Sequence, residues 1–310
     1  MNGARPRADG APLGPGSLLW SIAGDPRSLL TGSAAGIMQL MLPGLGAGVT
    51  EHSNFFDDPY DRIFRSIPYI WGSIFSEGDN ANGRGRQIRD FHPQIKGTDD
   101  QGRRYHALDP DTFWWAHATF TWEFFRAHEL YFPGRLSRSR QEQLYAETVT
   151  WYRRYGVSDR VVPATLEDFW ARFDDICAHE LERTPAVSWV LDPSTNPGTG
   201  PGPGPSLPGP LSILNGLAAT AGAEVMRLMV VGSMPDMVRR RFDLSWSNLD
   251  RVRYVGVCAA FQAADPAVRR GALSSLWPEG TPHLDPGDSA MVVIAGPNPR
   301  QAQRSEPATG

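Results

Sequence analysis

The segment DPDTFWWAHATFTWEFFRAHEL, residues 109–130, decides the fold class of this chain. It opens with Asp109 and Pro110, an N-cap carboxylate followed by a proline suited to the first helical turn. Apolar positions then recur at i, i+4, i+7 and i+11, the spacing of one helix face: Phe113, His117 (beside Ala116), Phe120 and Phe124. The sequence therefore predicts a long helix here and a mainly α protein around it.

Composition excludes several classes of protein. Hydrophobic residues make 41% of the 310 residues, which is enough for a sizeable core and argues against wholesale disorder. The net charge is −4 and no basic stripe follows the chain, so nucleic acid is not an expected partner. Cys177 and Cys258 form neither a CxxC motif nor a zinc spacing, which indicates free core thiols.

The distribution of Gly and Pro predicts the domain organisation. Residues 1–14 and 297–310 are expected to be disordered tails around a single helical domain over 15–296. Within it, twelve of the 19 residues at 192–210 are Gly or Pro, which indicates a loop. We find no signal peptide and no clean apolar span, and expect a cytoplasmic protein without stable membrane insertion. The oligomeric state stays open.

Further helices follow from capping signals and apolar spacing. A helix begins at Pro59, and Pro68 is expected to kink or break it. Ser139 and Glu142 form a capping-box pattern for a helix that runs to Gly156. The remaining predicted helices cover residues 84–94, 166–181, 213–231, a segment from 235, and 246–264. Residues 99–102, DDQG, predict a turn. Strand signals are weak, and 290–295 is a short terminal candidate.

His117 is the most informative of the seven histidines. It lies on the apolar side of the predicted helix, next to Trp114 and Phe120. A buried imidazole needs a hydrogen bond or a metal, because an unsatisfied buried polar group costs about 1–3 kcal/mol. Two interpretations stay open, a core histidine bonded to a carbonyl and an axial ligand to a haem iron.

Other polar residues have two interpretations as well. His92 fits either a surface helix end or a distal-pocket residue, and His52 fits a helix cap or a pocket edge. Arg62 and Arg89 suit cofactor carboxylates, because guanidinium groups bind them bidentately, yet both also suit solvated helix faces. Lys96 is the single lysine, and it could ligate iron only when desolvated and neutral, which is costly.

Two motifs carry a resemblance. HPQIKG at 92–97 and GRRYHALDPDTFWWAHATF at 102–120 resemble the DUF2236 family, which includes the MpaB proteins and the rubber oxygenases called latex clearing proteins. GVTEHS at 48–53 and MPDMVRRRF at 234–242 are similar to further motifs of that family. The resemblance covers about residues 18–260.

This resemblance implies a globin-like helical core with a haem b pocket between helices. It makes His117 the proximal iron ligand. The other cofactor-binding residues that we assign with it are Trp114, Phe120, Thr121, His52 and Arg62. The catalytic residues on the distal side are then His92, Arg89 and Lys96, of which the last two are assigned from their proximity to the motif.

The predicted function is that of a haem b-dependent oxygenase that uses O₂ to attack a C=C bond in a small, apolar substrate. The alternative is a non-catalytic helical protein that binds haem or another apolar ligand. Ligation separates the two hypotheses, because a haem held by both His92 and His117 would be six-coordinate and slow to bind O₂.

Overall fold

The computed structural model of the chain describes residues 13–56, 59–191, 215–270, 282–284 and 291–293. Side chains are described throughout these ranges except at 59–65, 78, 215–223, 282–284 and 291–293. The described part is mainly α-helical, which confirms the predicted mainly α class, whereas the globin-like arrangement and the haem pocket between helices stay predictions.

The elements up to residue 191 are, in chain order, α1 (Leu18–Ala23), a 3₁₀ helix (Pro26–Thr31), α2 (Gly32–Leu40), α3 (Pro43–His52), α4 (Pro59–Phe75), α5 (Gly78–Asp90), β1 (Lys96–Thr98), β2 (Arg104–His106), α6 (Pro110–Tyr131), α7 (Arg138–Arg154), α8 (Leu166–His179) and α9 (Pro185–Leu191). The later elements are α10 (Asn215–Ser233), α11 (Asp236–Arg241), α12 (Asn248–Ala263), α13 (Asp265–Val268), β3 (Pro282–Leu284) and β4 (Met291–Val293).

Helix α6 is the central element, as the opening segment predicts. The Asp109 carboxylate accepts hydrogen bonds from the backbone N–H groups of Asp111 and Thr112, and so caps the helix. No residue from Phe113 to His128 is exposed. Helices α1, α2, α7 and α12 and the 3₁₀ helix all pack against it. This burial places every polar side chain in the middle of α6 inside the core.

A β-hairpin leads into α6 and joins the two motifs of the resemblance, at 92–97 and 102–120. Strands β1 and β2 are antiparallel, with Gly97 opposite Tyr105. In the turn, Asp99 accepts hydrogen bonds from the backbone N–H groups of Gln101 and Arg103, and Gly102 adopts a φ of 80°, which favours glycine. The sequence predicted the turn at 99–102 but not the strands, because each is three residues long.

Several predicted boundaries were wrong. Helix α4 continues through Pro68 to Phe75, since burial of its last turns in the core offsets the missing hydrogen bond. The N-cap of α7 is Ser137, which accepts from the Arg140 N–H, and not Ser139. Helix α5 covers 78–90 rather than 84–94. Helix α1, which precedes the first predicted element, was not predicted.

The C-terminal helices pack on the same core. The Arg126 guanidinium on α6 donates to the Ser233 carbonyl at the end of α10 at 3.0 Å. The hydroxyls of Tyr131 on α6 and Tyr254 on α12 lie 3.0 Å apart. Among the described residues no single helix is long and apolar enough to cross a membrane; the segment Pro26–Leu40 and α3, which meet at 96°, reach that length and apolarity together.

Helices α5 and α7 approach each other at Gly85, where there is no room for a side chain. A Cβ atom at this position would lie 2.3 Å from the backbone oxygen of Arg154. The Arg154 guanidinium, in turn, donates to the carbonyl groups of Ser73 and Ile74 at the end of α4, at 2.7 and 2.8 Å. The absence of a side chain at Gly85 therefore allows α5 to pack closely against α7 at the residue that also binds the end of α4.

We predict that Gly85→Ala lowers the free energy of unfolding by about 2 kcal/mol or more, because the new methyl group must separate α5 from α7. Gly83→Ala, in the same helix with open space around it, should instead raise that free energy by about 0.5–1 kcal/mol. Urea unfolding followed by circular dichroism measures both. Equal effects of the two substitutions would contradict the close contact.

Candidate functional site

His117 lies in the middle of α6 and only 6% of the residue is exposed. Its Nε2 atom is 3.1 Å from the backbone carbonyl oxygen of Thr148 on α7. Because a carbonyl oxygen only accepts, Nε2 carries the ring proton. Burial lowers the pKa of His117 to about 3, so the ring is neutral at neutral pH. Its Nδ1 lone pair is buried without a hydrogen-bond partner.

Three aromatic side chains, two on α7 and one on the residue directly after it, surround this imidazole. The ring centroids of Trp151, Tyr152 and Tyr155 lie 4.6, 5.1 and 5.8 Å from that of His117. Burial raises the pKa of both tyrosines, so their hydroxyl groups stay protonated. These four residues form what we call the His117 cluster, a dry aromatic environment around one free nitrogen.

The structure brings His92 to the edge of this cluster. Its Nδ1 donates to the carbonyl oxygen of Ile88 at 2.7 Å, at the end of α5. The His92 ring meets the edge of Phe113 at a centroid distance of 5.9 Å. Phe113 in turn lies 6.2 and 5.3 Å from Tyr152 and Tyr155. One phenylalanine ring thus stands between His92 and the cluster.

The predicted cofactor residues of α6 divide between two faces. Phe120 is 6.1 Å from Trp151 and lies on the side of the cluster. Trp114 faces α8, where the guanidinium of Arg172 lies 4.0 Å from its ring centroid. Thr121 is buried. Phe120 is therefore better placed than Trp114 to contact a group bound in the cluster.

Arg89 and Lys96, the charged residues assigned from their proximity to the motif, form no hydrogen bond or ion pair with the His117 cluster within the described part of the chain. Arg89 is half-buried and donates to the adjacent Asp90 carboxylate at 2.8 Å, and Lys96 is exposed on β1. Arg62 is in α4, and its side chain is outside the described part of the chain. Their catalytic and cofactor-binding roles stay predictions.

His52 belongs to a separate polar group on α3. Its Nε2 is 3.2 Å from the Tyr105 hydroxyl, which donates to Glu51 at 2.5 Å. Burial, together with the Glu51 carboxylate, raises the pKa of Tyr105 to about 12. A Cβ at Gly97 would lie 2.7 Å from the same hydroxyl. This group holds the hairpin against α3, so His52 has a structural role here, and its predicted cofactor contact stays a prediction.

Glu123 is a buried carboxyl group that the sequence analysis missed. It lies on α6 and is 1% exposed, and neither oxygen has a hydrogen-bond partner. A Cβ at Gly32, the first residue of α2, would be 3.3 Å from Oε1. Burial raises the pKa of Glu123 well above its ordinary value. A glutamate among aromatic residues on a buried helix was the available signal.

The α7 half of the cluster was also missed, although its spacing was visible. Thr148, Trp151, Tyr152 and Tyr155 recur at i, i+3, i+4 and i+7, which is typical of one helix face. Their position opposite His117 depends on how α6 and α7 pack, which periodicity does not give.

The donor set fits haem ligation. Among the described residues no three His, Cys, Asp or Glu side chains come together in a way that could hold a metal ion. Haem brings its own equatorial ligands and needs one axial donor from the protein. A neutral imidazole with one nitrogen fixed by a carbonyl and the other free has the form of such a donor.

Comparison with known proteins shows the family. Residues 20–273 match the model of the family described as "ER-bound oxygenase mpaB/B'/Rubber oxygenase, catalytic domain". Since the match covers most of the chain, the protein belongs to this family, and the sequence resemblance is confirmed. The family consists of oxygenase catalytic domains.

The curated relatives add no function. Uncharacterized proteins of Mycobacterium bovis (Mb2261) and Mycobacterium tuberculosis (Rv2237) are each 27% identical over 152 residues, 46% of this chain. The chain spans 59% of the length of these relatives. No solved structure matches the chain.

We predict that Glu123→Gln makes the free energy of unfolding less dependent on pH. In the wild type the folded state keeps the Glu123 proton above the pH at which the unfolded state loses it. Stability is therefore lost as pH rises from about 5, by up to about 1.4 kcal/mol per pH unit. Glutamine binds no proton, so this contribution disappears.

Urea unfolding between about pH 5 and pH 8 checks this prediction. The matched control is Glu142→Gln, which removes an exposed carboxyl of α7 and should reproduce the wild-type slope. Parallel curves for Glu123→Gln and the wild type would show that Glu123 is ionised when folded.

Proposed function

We propose that the protein is a haem b-dependent oxygenase acting on a small, apolar, unsaturated substrate, and that His117 would hold the haem through its iron. The observation that carries the proposal is the buried Nδ1 of His117, which has no hydrogen-bond partner. An unpaired buried nitrogen costs free energy that a metal bond would recover. Haem, when bound, would supply the activation of O₂.

The residues around His117 suit this role. The Thr148 carbonyl accepts from Nε2, which fixes the tautomer and aims Nδ1 away from α7. The aromatic rings of α7 exclude water, and Tyr152 donates its hydroxyl hydrogen to the Ser158 carbonyl at 3.2 Å, so it presents a ring and not a charge. Such walls favour an apolar substrate over a charged one.

His92 is the polar group next to this environment. Its Nδ1 donates to the Ile88 carbonyl at the end of α5, and its ring meets Phe113 beside the cluster. We assign His92 to the substrate side, where it would orient O₂ or the substrate. In the alternative, a haem carrier, His92 would hold the haem together with His117, so its role decides between the two functions.

We predict that His117→Ala abolishes haem retention. The protein is produced with haem supply, and haem b per chain is measured by the Soret band and by the pyridine haemochrome assay. The matched control is His128→Gln on the same helix, whose ring stacks on Phe132 at 5.1 Å away from the cluster. This variant should keep haem at the wild-type level.

Thermal unfolding of both apoproteins checks that the variants fold. A folded His117→Ala protein that keeps haem with an unchanged spectrum would show that another residue is the ligand. A wild type that stays colourless and refuses added haemin would remove haem from the proposal altogether.

We predict that His92→Ala keeps haem but slows or abolishes oxygenase turnover. The wild-type spectrum should indicate an open coordination position, and CO should bind the reduced form at once. If the wild type is six-coordinate and low-spin, and His92→Ala converts it to a CO-binding form, then His92 is an iron ligand and the carrier function replaces the oxygenase.

A further inference from the structure

Helix α12 presents an apolar face to solvent. Leu249, Val252 and Val255 are 56%, 68% and 61% exposed. From Leu249 to Ala263, every exposed residue is apolar except two arginines. The opposite face of the helix is anchored in the core by Tyr254 and Cys258. The face is therefore a fixed surface of the fold.

The two arginines lie on the edges of this face. At 100° per residue, Arg251 and Arg253 fall on opposite sides of the arc centred on Val252. Arg253 is 3.8 Å from Glu224, a weak surface pair. The nearby Asp250 carboxylate is bound to Ser247 and Arg227. An apolar strip with basic edges is the pattern of a helix that lies in a membrane interface.

Residues near α12 add to the exposed apolar surface, and the sequence around it is rich in arginine. Val225 and Met226 on α10, which packs against α12, are 54% and 49% exposed. Residues 236–270 contain seven arginines against four aspartates, within a chain whose net charge is −4. Of these arginines, Arg251 and Arg253 lie on the edges of the apolar face, whereas Arg239 and Arg241 donate to the backbone carbonyl groups of Met234 and Leu181.

We propose that this face of α12 docks the protein on an anionic lipid bilayer, with Leu249, Val252 and Val255 entering the interface and Arg251 and Arg253 contacting lipid phosphates. Charge complementarity selects this occupant over a second copy of the chain. Pairing two α12 faces would set their arginine edges against each other, and like charges in an interface are unfavourable. The proposal goes beyond the oxygenase function and does not depend on haem.

Vesicle flotation with the full chain tests the docking. Vesicles of three parts phosphatidylcholine to one part phosphatidylglycerol should bind the protein, and binding should weaken with added salt. Pure phosphatidylcholine vesicles should bind it much less. No binding to the anionic vesicles at low ionic strength would overturn the proposal.

Substitutions at Val252 test the apolar part. Val252→Glu places a carboxylate at the centre of the face and should weaken binding about ten-fold or more. Val252→Leu is the matched control, and its extra methylene should tighten binding up to about four-fold. Binding that is insensitive to both substitutions would contradict insertion of this face.

Substitutions at the arginines test the charged part. Arg251→Gln combined with Arg253→Gln should weaken binding about 25-fold, because each arginine near an anionic surface contributes about five-fold. Arg135→Gln combined with Arg160→Gln removes the same charge from exposed positions elsewhere and should change binding little. Equal losses would show a net-charge effect without an oriented surface.

A labelled cysteine reports the orientation directly. Both native cysteines are buried, so Val252→Cys can carry an environment-sensitive fluorophore selectively. Its emission should shift to the blue when anionic vesicles are added, whereas Arg135→Cys should not respond. Light scattering tests whether a second copy of the chain covers this face instead. A wild-type dimer that Val252→Glu dissociates, together with no binding to vesicles, would replace the lipid proposal by self-association.

Discussion

The burial of α6 on all sides is the constraint on which the rest of the structure depends. A helix with no solvent-exposed face over its middle turns must find internal partners for each polar side chain. The Trp115 indole N–H donates to the Met38 carbonyl at 3.0 Å, and Thr119 accepts from Gln39 at 2.9 Å. Neighbouring helices therefore supply carbonyl and amide groups at fixed positions, which orients them around α6.

Two buried polar side chains of α6 lack some or all of their hydrogen-bond partners. His117 is half satisfied, because Thr148 holds Nε2 while Nδ1 has no partner. Glu123 is wholly unsatisfied and lies over Gly32, on the side of α2. The neutral imidazole has a lone pair that a metal could accept. The protonated carboxyl has no such use, and its burial lowers the free energy of unfolding, which the packing of the large aromatic core offsets. A buried polar atom without a partner therefore indicates a binding site only when its protonation state leaves it able to bind a ligand.

The sequence predicted α6, its cap and its central histidine because these depend on local periodicity and capping alone. It predicted the turn at 99–102 for the same reason. The sequence did not predict the α7 side of the His117 cluster or the close contact of Gly85 with Arg154. Both depend on how two helices pack, which local patterns do not give. Pro68 misled the prediction because tertiary burial outweighed a local preference.

The motifs that carry the family resemblance combine architecture with chemistry, and the structure separates the two. Tyr105 in the hairpin donates to Glu51 on α3. A Cβ at Gly97 would lie 2.7 Å from the Tyr105 hydroxyl and 2.9 Å from the Glu51 carboxylate, so it would displace both groups. The glycine and the tyrosine of the motifs therefore hold the hairpin, and the chain that leads into α6, against α3. The residues of the motifs that could take part in chemistry are two histidines: His92, whose ring contacts Phe113, and His117, one helical turn after Phe113 on α6.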